Sequence, residues 1–180
     1  MKHRGFTLVE LLIVIVVIGV LSAMMMLSST EAVSSARAAD IISDLRNIKT
    51  AVLAWYADNL DKIDAKGYIK IEGKSNFIQK FTDSELGLSK YLNGEVKLQT
   101  KVDQTPDNEY VVFAQAGADS DRSTWYVGCK VTDSKVREKL KARANSVGLH
   151  FTSNAYPDTK NDAGDKVWMK ILGDLEPKSE

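Results

Sequence analysis

Cysteine, histidine and any surplus of one charge sign are what this chain has least of. Its single cysteine, Cys129, excludes an intrachain disulfide. The two histidines, His3 and His150, leave little material for base or metal chemistry. Cys129 and His150 would need a third, orienting group to act as nucleophile and base, and no characteristic spacing supplies one. Basic and acidic side chains balance at 24 each over 180 residues, which excludes nucleic-acid binding driven by the field of the whole molecule. No internal repeat or low-complexity tract stands out. Between Leu11 and Thr30 charge is absent altogether.

That last absence is also the strongest positive signal. Twenty helical residues span about 30 Å, the hydrocarbon thickness of a bilayer. Lys2 and Arg4 stand in front of the apolar segment, so its N-terminal side is expected to remain cytoplasmic. One carboxylate, Glu10, lies at its start, and an ionised acid within a membrane costs on the order of 2.5–3.5 kcal/mol. A removable secretory signal fits poorly, because the segment is long, carries an acid and ends in Met24-Met25-Met26-Leu27 without an Ala-x-Ala-like site. A plain signal-anchor explains the length and the charge bias and gives Glu10 no purpose. A buried helix of a soluble domain is not expected to be apolar all round for this distance.

The run Lys2-His3-Arg4-Gly5-Phe6-Thr7-Leu8-Val9-Glu10-Leu11-Leu12-Ile13-Val14 resembles the N-terminus of the type IV pilin and type II secretion pseudopilin superfamily, and the resemblance extends to about Asn59. It implies a leader of residues 1–5, cut by a prepilin peptidase between Gly5 and Phe6, with methylation of the new Phe6 amino group. It implies that Glu10 neutralises the Phe6 ammonium of a neighbouring subunit during assembly. Buried opposite charges attract strongly while either alone is penalised, so such a pair selects one stagger of packed helices. Further implied partners are other or minor pilins, an assembly platform protein and an ATPase, with membrane lipid around the stem before assembly. Two departures stand out. Many pilins close a C-terminal loop with a disulfide, which one cysteine cannot do, and Leu27 stands where the family often has proline.

The implied fold is α+β and pilin-like. Residues 6–30 form the transmembrane or filament-core part of one long helix, residues 31–59 its amphipathic continuation, and residues 60–180 a globular head with a small antiparallel sheet. The residues support this division independently. Ser28 to Asp40 contains neither proline nor glycine, and from Ile41 apolar residues recur at Leu45, Ile48, Val52 and Trp55 or Tyr56. Alternating or apolar runs at Glu95–Val102, Tyr110–Ala114, Thr124–Val131 and Val167–Leu172 predict strands, with turns suited to a meander. Tyr68–Ile71 is a further candidate strand, and Asp83–Leu92 one or two helical turns. A second helix is predicted from Ser134 to Ser146, capped by Asp133, striped by Val136, Leu140, Ala144 and Val147, and stopped by Gly148.

Other candidate sites are few. Asp158, Asn161, Asp162 and Asp165 offer oxygen ligands of the kind calcium takes, and major pseudopilins resemble this in carrying calcium in a C-terminal loop; the spacing is not that of a dedicated calcium loop, and Lys160 sits among the acids. Cys129 shares a strand face with Trp125, Val127 and Val131 and is expected to be buried. Trp55, Tyr56, Phe113, Trp125 and Trp168 are expected to pack stem against sheet. Lys135, Arg137, Lys139, Lys141 and Arg143 make the second helix basic, but Glu138 interrupts them and a solvated face is the simpler expectation than nucleic acid. No catalytic residue and no required cofactor is expected. The implied function is a structural subunit that polymerises through its N-terminal helix into a surface filament for adhesion, motility or DNA uptake. The alternatives are a pseudopilin of a secretion machine and a single-pass membrane protein with a ligand-binding head. The precursor would sit in the cytoplasmic membrane and the product in an extracellular or periplasmic filament.

Overall fold

The computed structural model describes residues 6–63, 78–81, 86–92, 98, 109–116, 123–153 and 164–173. Helix α1 (Leu8–Asp58) runs for 51 residues without a break, about 77 Å at 1.5 Å per residue. Nothing in its sequence stops it: proline is absent, and Gly19 costs a helix only about 1 kcal/mol relative to alanine. It ends where Asn59 folds its side-chain amide back onto the Trp55 carbonyl at 2.8 Å, satisfying one of the carbonyls a helix end leaves open.

Five strands form one antiparallel sheet: β1 (Ile78–Phe81), β2 (Tyr110–Ala116), β3 (Ser123–Lys130), β4 (Leu149–Thr152) and β5 (Lys166–Leu172). Their spatial order is β1-β2-β3-β5-β4, so β1 to β3 follow one another as a meander while β5 inserts between β3 and β4. The insertion follows from helix α2 (Ser134–Val147), which leaves the end of β3 and returns the chain to the outer edge as β4. Asp133 caps α2 by accepting from the Lys135 and Val136 amides, and Gly148 ends it at φ 74°, a left-handed position that favours glycine. Strand β3 lies where alternation predicts it, and β2 and β5 where the apolar runs Tyr110–Ala114 and Val167–Leu172 do. Strands β1 and β4 are additional, and the candidate strand at Tyr68–Ile71 lies outside the described residues. Of Glu95–Val102 only Leu98 is described, in an isolated parallel bridge with Tyr110.

The core is where the amphipathic half of α1 meets the sheet. Ala38, Leu45, Ile48 and Val52 are fully buried on one stripe, at the spacing that places i, i+3, i+4 and i+7 on one helix face. Opposite them stand the inward residues of the strands, among them Val112, Val127, Val167 and Met169, and α2 adds Val136 and Leu140. Trp125 reaches both Trp55 and Tyr56, with ring centroids 6.2 and 6.0 Å away. One polar contact fixes the helix on the sheet: the buried Tyr110 hydroxyl donates to Asp44 at 2.7 Å. Burial, and secondarily the Asp44 carboxylate, raise the Tyr110 hydroxyl well above the usual phenol range.

The aromatic residues correct one expectation. Phe113 and Trp168 do not pack against the stem. They lie on the opposite sheet face with Tyr126, because strand neighbours alternate sides. Phe113 stacks on Tyr126 at 5.4 Å and meets Trp168 edge-on at 5.2 Å. The Trp168 indole N–H donates to the Thr152 hydroxyl at 2.9 Å. The ring lies across Gly128, where any Cβ would overlap it. The sheet is therefore buried on both faces.

Two outcomes follow. Gly128→Ala should lower stability by about 1–3 kcal/mol, as overpacking does, in denaturant unfolding followed by Trp fluorescence. His150, half-buried on β4, is held below its ordinary pKa by burial and by the Lys170 charge. Its neutral form is the one the fold accommodates, so that stability is present above the unfolded histidine value, about 6.5, and is lost as pH falls through the lower folded value. His150→Gln should flatten this acid-side loss, and an NMR titration of the His150 ring should give a midpoint below that of free histidine.

Candidate functional site

The described chain begins in a feature built from three residues. Thr7 is extended (φ −80°, ψ 151°) and precedes the first turn of α1. Its hydroxyl oxygen accepts the Glu10 amide at 3.3 Å. In return, Glu10 Oε2 accepts the Thr7 amide at 2.8 Å and the Thr7 hydroxyl at 2.7 Å. This is a reciprocal capping box, which satisfies amides that a helix start otherwise leaves open. The positive end of the helix dipole adds a favourable field for the carboxylate. Among the described residues only Oε2 is engaged in these bonds, leaving Oε1 able to accept from a further donor. Phe6, immediately before the cap, is 83% exposed.

Beyond the cap, the described side chains from Leu11 to Met25 lie open on the surface of the stem. Fifteen large apolar side chains from Phe6 to Met25 are between 48% and 83% exposed. At about 1.5–3 kcal/mol for fully burying one such side chain, covering this surface is worth on the order of 10–20 kcal/mol, as much as a whole domain's stability. The segment is long and apolar enough to cross a membrane, and none of its most apolar stretch is buried in the protein. A surface of that size belongs in lipid or against another apolar surface.

Where the stem enters the head, α2 clasps it. Lys139 Nζ lies 3.3 Å from Glu31, and Arg37 lies 3.9 Å from Asp133. Both pairs are solvent-exposed and contribute little energy individually. Ser34, almost fully buried, turns its hydroxyl back to the Thr30 carbonyl at 3.0 Å. Thr30, Val33, Ser34, Arg37, Asp133 and Lys135 line a shallow groove at this junction.

Of the residues singled out by sequence, Phe6 and Glu10 lie together at the free end of the stem, and Gly5 lies outside the described residues. Asp158, Asn161 and Asp162 also lie outside them. Asp165 is described, and it is occupied by two ammonium groups, Lys130 at 3.7 Å and Lys166 at 3.5 Å. Its carbonyl accepts the Val131 amide at 2.7 Å, tying the end of β3 to the start of β5. Among the described residues no group of three His, Cys, Asp or Glu side chains is close enough to hold a metal. Cys129 points into the core while His150 lies on the other sheet face, so the two are not brought together. Thr7 was not singled out, although Thr-x-x-Glu before an apolar run is the sequence signature of a capping box.

Residues 1–26 match the family described as Prokaryotic N-terminal methylation motif. This prepilin-type motif is typical of type IV pilins and pseudopilins and implies processing by a prepilin peptidase and assembly into pilus-like filaments. Comparison with curated proteins and with solved structures found no match to the chain. The fold itself, a long apolar N-terminal helix followed by an antiparallel sheet and a short helix, is pilin-like.

The cap makes a local prediction. Thr7→Val removes the hydroxyl that serves Glu10 on both sides and should weaken the helix start by about 0.5–2 kcal/mol. Faster amide exchange in the first turn of the detergent-solubilised chain, restored by Thr7→Ser, would show it. Unchanged exchange in the valine variant would mean that the box does not hold the terminus.

Proposed function

We propose that this chain is a type IV pilin: a structural subunit that polymerises through α1 into a helical surface filament serving adhesion, motility or DNA uptake. The carrying observation is the unpartnered apolar stem with a single carboxylate at its capped tip. In this reading the stem sits in the cytoplasmic membrane until a peptidase removes residues 1–5, and then exchanges lipid for neighbouring stems. That exchange gains little from apolar burial alone, because lipid tails are as apolar as leucine. Direction and stagger must come from the polar end.

Glu10 suits that task. Its Oε2 is spent on Thr7 of its own chain, and Oε1 is available to a cation. The ammonium of Phe6 on the next subunit supplies one once Gly5-Phe6 is cut. A carboxylate already fixed by its own cap loses little further freedom on pairing, so the contact is pre-organised. An assembly platform protein, an ATPase and other pilins complete the reading as partners. The same tip would serve a pseudopilin of a secretion machine; long filaments on the cell surface distinguish the pilin, since pseudopilins remain in short periplasmic assemblies.

In the native host, Glu10→Ala should leave the processed protein in the membrane and reduce sheared filaments by at least about tenfold, the effect of losing roughly 1.4 kcal/mol at each subunit contact. Gly5→Val should leave the leader uncut, visible by mass spectrometry as an intact Met1. Wild-type filament yield from the Glu10 variant would overturn the role of the carboxylate. An intact Met1 in the wild-type mature protein would favour a membrane-anchored head of some other function.

A further inference from the structure

The five basic side chains of α2 separate into two sets. Arg137 donates from Nη1 to the Val131 carbonyl at 3.2 Å, and the Lys141 ammonium lies over the Phe151 ring at 5.4 Å, so both are turned to the head. Lys135, Lys139 and Arg143 recur every four residues and share the other flank of the helix. Two of the three reach the base of the stem: Lys135 lines the groove with Thr30 and Val33, and Lys139 reaches Glu31. These contacts lie at the end of the uncharged segment.

The position along the stem decides what this flank meets. Glu31 directly follows the uncharged stretch Leu11–Thr30, about 1.5 Å beyond its end along the axis. The polar headgroup layer outside a bilayer's hydrocarbon core is roughly 5–7 Å thick. With the uncharged stretch centred in the hydrocarbon, Glu31 stands at the inner edge of the headgroup layer and the Lys139 ammonium paired with it lies at that level. Lys135 and Arg143 are exposed about one turn, or about 6 Å, to either side of Lys139 along α2, a spacing within the distance of about 8–10 Å over which surface charge is felt.

We propose that Lys135, Lys139 and Arg143 form a docking surface for the anionic phospholipid headgroups of the leaflet from which the stem emerges, holding the head against the membrane before assembly. This rests on the stem spanning a bilayer. A lipid surface asks only for a cationic flank at the right depth, which is what α2 offers. A nucleic acid asks for a track of phosphate contacts along the molecule, and two of the five cations, Arg137 and Lys141, are drawn to groups of the head itself.

The test uses the full chain, leader removed, in lipid nanodiscs. Ala142, exposed on the same helix, is replaced by cysteine and labelled with a fluorophore, the buried Cys129 remaining unreactive. Nitroxide on the lipid headgroups reports proximity. Quenching should be stronger in discs containing phosphatidylglycerol than in phosphatidylcholine alone, and should fall at high salt. Lys135→Gln and Arg143→Gln should each lower the ratio of docked to undocked heads about fivefold. Lys90→Gln, beside Tyr91 at the opposite end of the stem, should change nothing. Equal quenching in both discs and at both salt concentrations overturns the proposal, as does emission that responds to added duplex DNA but not to lipid charge. Failure of the chain to float with either lipid overturns the membrane reading and this inference with it.

Discussion

The packing of the amphipathic half of α1 into the inner face of the sheet is the interaction on which everything else rests. It supplies the core of the head, with Leu45, Ile48 and Val52 fully buried against the strands. It also fixes what the remainder of the same helix can do. Because α1 continues from Leu8 to Asp58 without a break, its apolar half cannot fold back onto the sheet. A rigid element buried at one end necessarily presents its other end to something outside the chain. The head thus creates the demand that lipid or another stem must meet.

Polar groups on this helix are placed where they decide geometry. In the buried half, Asp44 accepts from the Tyr110 hydroxyl, and shifting the helix by one turn would leave a buried hydroxyl and a partly buried carboxylate unpaired, each at a cost of about 1–3 kcal/mol. At the free end, Thr7 and Glu10 close the first turn on themselves. Between the two lies a surface of leucine, isoleucine and valine with no directional preference. Register within the subunit is therefore set by Asp44, and in the proposed polymer by Glu10.

The sequence made the long helix legible because two different periodicities meet in it: apolar on every side to Leu27, then one stripe from Ala38 to Trp55. Strands β2, β3 and β5 were legible because each contains a run of five or more residues rich in β-branched and aromatic side chains. Strand β4, only Leu149–Thr152, follows directly on a helix and carries too few residues for alternation to register. Strand β1, Ile78–Phe81, is equally short. The aromatic residues misled for a specific reason. Being apolar and within strands, Phe113, Trp125 and Trp168 all read as core, but parity along the strand sends Trp125 to the helix and the other two to the far face. A sequence shows that a residue is buried more readily than it shows on which side of a sheet. At the tip, the family resemblance assigns Glu10 to a neighbouring subunit, while Thr7 three residues earlier marks it as part of a cap as well.

An α-helix without a proline joint is also a mechanical element. Its backbone hydrogen bonds are arranged in series along the axis, so a pull applied near Phe6 is carried through the same rod to the tryptophan contact at Trp55. Gly19, the one glycine between Leu8 and Asp58, holds helical geometry about 1 kcal/mol less strongly than alanine and is the intrinsically weakest point of the exposed half. A polymer of such rods would yield first near that glycine under tension, extending there while each head keeps its packed core.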